Sequence, residues 1–263
     1  MIISRFTQNV KKQNWFAVSV DVLVVIVGIF LGLQVTNWQA AITEQKTAEK
    51  YLVRLSSDLQ DDLDRMRHTE AFWHTIKNYT EQSLSYLEEP EQNTQTSWNA
   101  VLGFFQASQI DPFQVNDITY NELQQAGQLS LLENHALRQK LAEYYSFNGS
   151  DIGTELMRYV PAYRERVRGF MPSIVTDYIW KNCYSNDNIN NNISTQKLKT
   201  CESPISEDQN RRILDSIQSD QEILLTLRFW YSTQTSALQF LPTNIKTAKE
   251  LRENVQQELE NFE

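Results

Sequence analysis

Glycine and proline are scarce here, seven and six in 263 residues. That scarcity leaves no glycine loop to cradle a phosphate, no G-x-G-x-x-G and no G-x-S-x-G. Few breakers among many Leu, Gln, Glu and Arg predict long helices, and no run sustains the alternation of a strand. Basic residues are in deficit, 24 Lys and Arg against 33 Asp and Glu, for a net charge of −9. A chain so acidic is unsuited to broad nucleic-acid binding, which displaces counterions with a basic surface. It is equally unsuited to adhering to anionic lipid by charge. Only three histidines occur, His68, His74 and His135. His68 follows Asp64 by four residues and His74 follows Glu70 by four, so each pair shares a helix face. The spacing between the histidines does not fit H-E-x-x-H, and solvated helix-face pairs explain them better than a metal site. No metal or other cofactor is expected.

One long apolar run is present. From Trp15 to Leu33 only Ser19 and Asp21 are polar, and as a helix those residues span roughly 28 Å, close to a bilayer's hydrocarbon core. Trp15 and Trp38 suit the two interfaces, where an indole is half apolar and half wet. A signal peptide is the competing explanation. Its apolar region is shorter, about 7–15 residues, and ends in a small-x-small site, whereas "QVTNWQAAI" offers only an imperfect one near Ala40 and Ala41. Arg5, Lys11 and Lys12 precede the run, and a mixed set of Glu44, Lys46, Glu49 and Lys50 follows it. Basic flanks stay inside. The expected organisation is a short cytoplasmic N-terminus (1–14), a transmembrane helix (15–38) and an extracytoplasmic helical domain (39–263).

Along that domain, Leu52, Leu55, Leu59, Leu63 and Met66 form one apolar stripe, with Asp58, Asp61, Asp62 and Asp64 mostly on wetter sides. No Gly or Pro interrupts 33–89, so the membrane helix is expected to continue into this one as a stalk that Pro90 ends. A short helix over about 98–108 follows. A capping box, Thr119 with Glu122, is expected to open another helix that Gly127 closes. Asn134 caps the next, which should continue, kinked at Pro161, to about Trp180. After "SPISED", helix should run to about Phe240, with Pro242 breaking or bending it before "IKTAKELRENVQQELENF". The fold class is all-α, one transmembrane helix continuing into an antiparallel bundle. Cys183 and Cys201 flank the polar loop "YSNDNINNNISTQKLKT". A disulfide would restrain that loop in an oxidising compartment; two unrelated thiols are the alternative. The aromatic groups "FWH" (72–74), "EYYSF" (143–147) and "RFWY" (228–231) are read as core and its polar edge.

"VLVVIVGIFLGLQVTNWQ", then "YLVRLSSDLQDDL", then "ITYNELQQAGQLSLLENHALRQKLAEYY" together resemble a family of uncharacterised bacterial single-pass membrane proteins. There, too, an acidic residue precedes a Val/Ile/Gly-rich anchor ending in a Gln-x-x-Asn-Trp-like pattern, and a Tyr-x-x-Leu-x-x-x-Gly-x-Leu segment leads into a Leu-Arg helix. The likeness covers roughly residues 15–65 and 117–147. It implies a bacterial inner membrane and a periplasmic helical domain, and it carries no activity or catalytic residue. Asp21 stands where the family commonly has glutamate, which keeps the charge and shortens its reach.

Three readings of Asp21 stand side by side. In the first, the carboxylate reaches the inner interface near Lys11 and Lys12. In the second, Gly28 and Gly32, a G-x-x-x-G pair, admit another helix while Asp21 and Gln34 hydrogen-bond across the contact. The third is proton coupling, by likeness of layout to the peripheral subunits of proton-driven motors, whose recognisable outer domain is missing. The function expected is a non-enzymatic accessory or scaffold subunit of a membrane assembly, bound to the lipid bilayer and to a membrane-protein partner or a second copy. The alternative is an extracytoplasmic sensor or ligand-binding module acting through a membrane partner, since the roughly 14 residues expected inside are too few for a signalling domain.

Overall fold

A single helix, α1 (Trp15–Glu88), runs unbroken through 74 residues, about 110 Å at 1.5 Å per residue. It dominates the computed structural model of the chain, which describes residues 15–146, 156, 158–190 and 193–261. α1 has two regimes. Between Val20 and Trp38 its large apolar side chains are exposed, Leu23, Ile26 and Leu33 by about 60% each. That segment is long and apolar enough to cross a membrane, and none of its most apolar window is covered by the rest of the chain. From Ala48 onward the helix supplies a core stripe, Leu52, Leu55, Leu59, Leu63, Met66, Trp73 and Ile76, all buried.

Pro90 opens a 3₁₀ turn, Pro90–Gln92, where α1 stops. Next comes α2 (Ser97–Ala107), capped by Thr96, whose hydroxyl accepts the Asn99 N–H. Every residue from Ala100 to Gln109 is buried, so α2 is the central helix. Then follow α3 (Ile118–Gln125), a 3₁₀ turn at Leu129–Leu131, α4 (His135–Ser146), α5 (Ala162–Gly169) and α6 (Ser173–Asn182). A β-hairpin joins β1 (Tyr184–Asn190) to β2 (Ile193–Leu198), and α7 (Glu207–Ser219) and α8 (Ile223–Glu260) complete the order. The described residues are thus overwhelmingly helical. α8 packs along α1 with pairs stepping in opposite directions: Arg228 meets Glu88 and Gln234 meets Thr80.

Several boundaries differ from the sequence reading. The helix expected through Pro161 to Trp180 is interrupted twice. Pro161 and Pro172 each sit in extended backbone as the cap before α5 and α6, so they start helices rather than kink one. The helix expected from "SPISED" to about Phe240 breaks at Asp220. Its carboxylate accepts the Glu222 N–H and is held by Arg166 of α5 at 2.8 Å. Pro242, by contrast, leaves α8 intact. It lies on the exposed side, where water can take the carbonyl freed four residues earlier. Thr119 is not a cap, because α3 begins at Ile118 without a side-chain cap of its own. Asn134 and Gly127 do act as read: Asn134 accepts the Leu137 N–H, and Gly127 takes φ +66°.

The polar loop between the cysteines is the hairpin just described, a second departure. A disulfide joins Cys183 to Cys201, Cα atoms 5.3 Å apart. The Lys199 N–H donates to the Cys183 carbonyl beside the ladder, and Gln196 reaches Asp111 at 2.8 Å. These ties, not strand propensity, order the segment. Replacing both cysteines by serine is expected to lower the unfolding free energy by about 3 kcal/mol, since the bridge closes a separation of 18 residues. Denaturant titration of full-length protein in detergent measures it, and an unchanged midpoint would refute the estimate.

Candidate functional site

The apolar segment of α1 presents two unlike sides. At 100° per residue, Asp21, Gly28 and Gly32 fall within about 40° of one another, whereas Gln34 lies roughly 140° from Asp21. Gln39 joins the first face in its place. Gly28 and Gly32 have no atom within 4 Å of where a Cβ would stand, so the chain itself leaves this face open. Thr36 turns its hydroxyl back to the Gly32 carbonyl at 3.0 Å, which satisfies it locally. Asp21 is half-buried, and Trp38 is 66% exposed. Arg5, Lys11 and Lys12 lie outside the described residues, and so does the side chain of Trp15. Carried up the unbroken helix, the same rotation puts Ala48, Leu52, Leu55 and Leu59 roughly opposite Asp21. On that ideal rotation the domain packs on one side of α1 and the Asp–Gly–Gly face looks the other way.

Beyond the apolar segment, Asp58 and Asp62 build a polar cluster where α1 meets α3 and α4. Asp62 is buried, contrary to its expected wet position. One of its oxygens accepts the Asn116 N–H at 2.7 Å and the other the Tyr144 hydroxyl at 2.8 Å. Asp58 accepts the Asn116 side-chain amide and the Thr119 N–H, both at 3.2 Å. The first turn of α3 is thus satisfied by a carboxylate from another helix, which is why no local capping box forms. Burial pushes the Asp62 carboxyl up to about 7, against the pull of its two hydrogen bonds and of Arg65. Burial beside Asp62 also drives the Tyr144 and Tyr145 phenols upward. Tyr145 stacks on Tyr120 at 4.7 Å.

Two further knots fix the loop after α2. Asp111 accepts from Thr69 at 2.9 Å and from Gln196, its carbonyl accepts the Trp73 indole N–H, and burial raises its carboxyl. Arg168 lies over the rings of Phe105 and Trp180 and donates to Ser108 and Gln109, while Arg164 donates to the Ser108 carbonyl. Burial, then the neighbouring Arg164, lowers Arg168 to about 9. Both guanidiniums face the carbonyl end of α2, where helix-dipole charge is negative.

Protein-family models, curated proteins and solved structures offer no match. The chemistry must be judged from the chain alone. Among the described residues, no three His, Cys, Asp or Glu side chains gather as a metal site would require. His74 and His135 are exposed and His68 is half-buried. The feature that sequence reasoning missed is Asp62. Its position was visible, three residues after Leu59 and four before Met66, within the core stripe.

Proposed function

We propose that this protein is a single-pass accessory subunit of a bacterial inner-membrane assembly. The N-terminus faces the cytoplasm and an antiparallel helical bundle stands in the periplasm. One observation carries the reading: a continuous helix leaves Gly28 and Gly32 uncovered on the face of the apolar segment that also carries Asp21, and by helix rotation turns the domain-packing stripe to the opposite side. A second membrane helix can then approach the anchor at the glycines without displacing the domain, and Asp21 can add a hydrogen bond across the contact. The basic residues before the anchor and the disulfide beyond it support the orientation. The partner this arrangement suits is a multi-pass membrane protein, joined to the outer domain through a stiff stalk. The likeness of the anchor and of the Tyr-x-x-Leu segment to bacterial single-pass proteins supports the same setting.

The test is isolation of full-length protein from its own host in mild detergent, with mass spectrometry of what stays bound. A stoichiometric membrane partner is expected. Gly28→Leu should reduce it about tenfold or more, and Asp21→Asn should reduce it less, since the amide keeps part of the hydrogen bonding. Helix content and melting temperature should not change, because neither residue touches the core. A lone monomer, or a complex indifferent to Gly28→Leu, overturns the proposal.

A further inference from the structure

Away from the anchor face, a groove of about 630 Å³ lies between α1 and α2, within the range of small-ligand sites. A helical stripe of α1, Thr75, Asn78, Tyr79 and Gln82, lines one side, and Asn99 and Leu102 of α2, with Gln95 from the loop before it, line the other. Thr200 completes the lining. None of these eight residues is charged, in a chain where 22% of residues are. The nearby ions are turned elsewhere: Lys77 pairs with Glu81 at 2.7 Å and reaches Tyr231 of α8. Tyr79 is half-buried with its phenol pushed up by burial alone, so it stays a neutral hydroxyl. The walls are rigid, since Thr200 adjoins the disulfide at Cys201, whose carbonyl accepts the Trp98 indole N–H from α2 at 2.6 Å.

We propose that this groove binds a neutral polyhydroxylated ligand, a glycan chain. The side-chain amides of Asn78, Gln82 and Asn99 make no hydrogen bond within the described chain, and each presents a donor beside an acceptor. That pairing matches adjacent sugar hydroxyls, which both donate and accept. The half-buried Tyr79 ring gives the apolar C–H face of a pyranose something to lie against. An anionic ligand finds no cation here. Among the lining residues an extended peptide finds no strand edge, because the backbone groups of the α1 and α2 walls are spent inside helices and the Gln95 N–H is taken by the Asn93 side chain. The assignment does not depend on how the anchor assembles.

Full-length protein in a detergent without a sugar headgroup tests it, titrated with tetrasaccharides of N-acetylglucosamine and of glucose and followed by saturation-transfer NMR. At least one is expected to bind with a Kd of about 1 mM or tighter. Gln82→Ala, Asn99→Ala and Tyr79→Phe should each weaken it several-fold, and the first two together by about tenfold or more. Gln82 and Asn99 are exposed, so an unchanged melting curve checks that the variants remain folded. Absence of binding by both sugars, or binding that ignores all three substitutions, overturns the proposal. So does preference for an uncharged glycine-rich peptide over both sugars.

Discussion

Asp62→Asn should make the protein more stable than wild type at neutral and alkaline pH, with no such advantage in acid. The Asp62 carboxyl is raised from 3.8 to about 7 in the folded state. A raised carboxyl stabilises the fold fully below its unfolded value, and that contribution is lost as pH climbs from 3.8 to about 7. At 1.36 kcal/mol per pH unit the whole interval corresponds to roughly 4 kcal/mol. Asparagine is isosteric and has nothing to ionise. Its oxygen can still accept the Asn116 N–H, and its amide can donate to the Tyr144 hydroxyl, which accepts as readily as it donates. The expected gain over wild type is therefore on the order of 2–4 kcal/mol above pH 7, shrinking to near zero around pH 4. Denaturant titrations of both proteins in detergent across that range measure it. A difference that stays constant with pH would show that Asp62 does not titrate in this interval.

The same residue shows where sequence reasoning stops. Leu52, Leu55, Leu59, Leu63 and Met66 were visible as a stripe because burial of apolar side chains repeats every three or four positions. Asp62 falls in that stripe too, but composition assigns a carboxylate to water. Only the partners from Asn116 and Tyr144, 54 and 82 residues away, make its burial tolerable. Thr119 failed for a related reason: a local capping pattern lost to Asp58, supplied across the fold. The hairpin was equally hidden, since Gln196 and the disulfide order it through contacts with distant chain. Uninterrupted α1, by contrast, follows from what is missing between Leu33 and Glu89, and Gly28 and Gly32 needed only helix geometry to be placed on one face. Gln34 was grouped with Asp21 as a polar contact across a second helix, and ideal helix rotation puts it on the far side.

The aromatic groups read as core include a joint that holds α8. Trp230 is fully buried, meets Trp73 of α1 edge-on at 5.3 Å and donates its indole N–H to the Ala107 carbonyl at the end of α2. Trp73 in turn donates to the Asp111 carbonyl. The pair thus ties α1, α2 and α8 through both packing and hydrogen bonds. Trp230→Ala should cost about 3–5 kcal/mol, from lost transfer energy and the cavity left behind. Trp230→Phe keeps most of the ring but orphans the Ala107 carbonyl, at a cost of about 1–3 kcal/mol. Trp73→Ala alone should be comparable to Trp230→Ala. The double substitution should cost less than the two singles together, by about 0.5–3 kcal/mol, because each single change already destroys the contact they share. Additive costs would mean the two indoles are held independently, each by its own neighbours. A coupling of the expected size would make this joint a principal tie between α8 and α1, beside the Arg228–Glu88 and Gln234–Thr80 pairs, made by two side chains far apart in the chain.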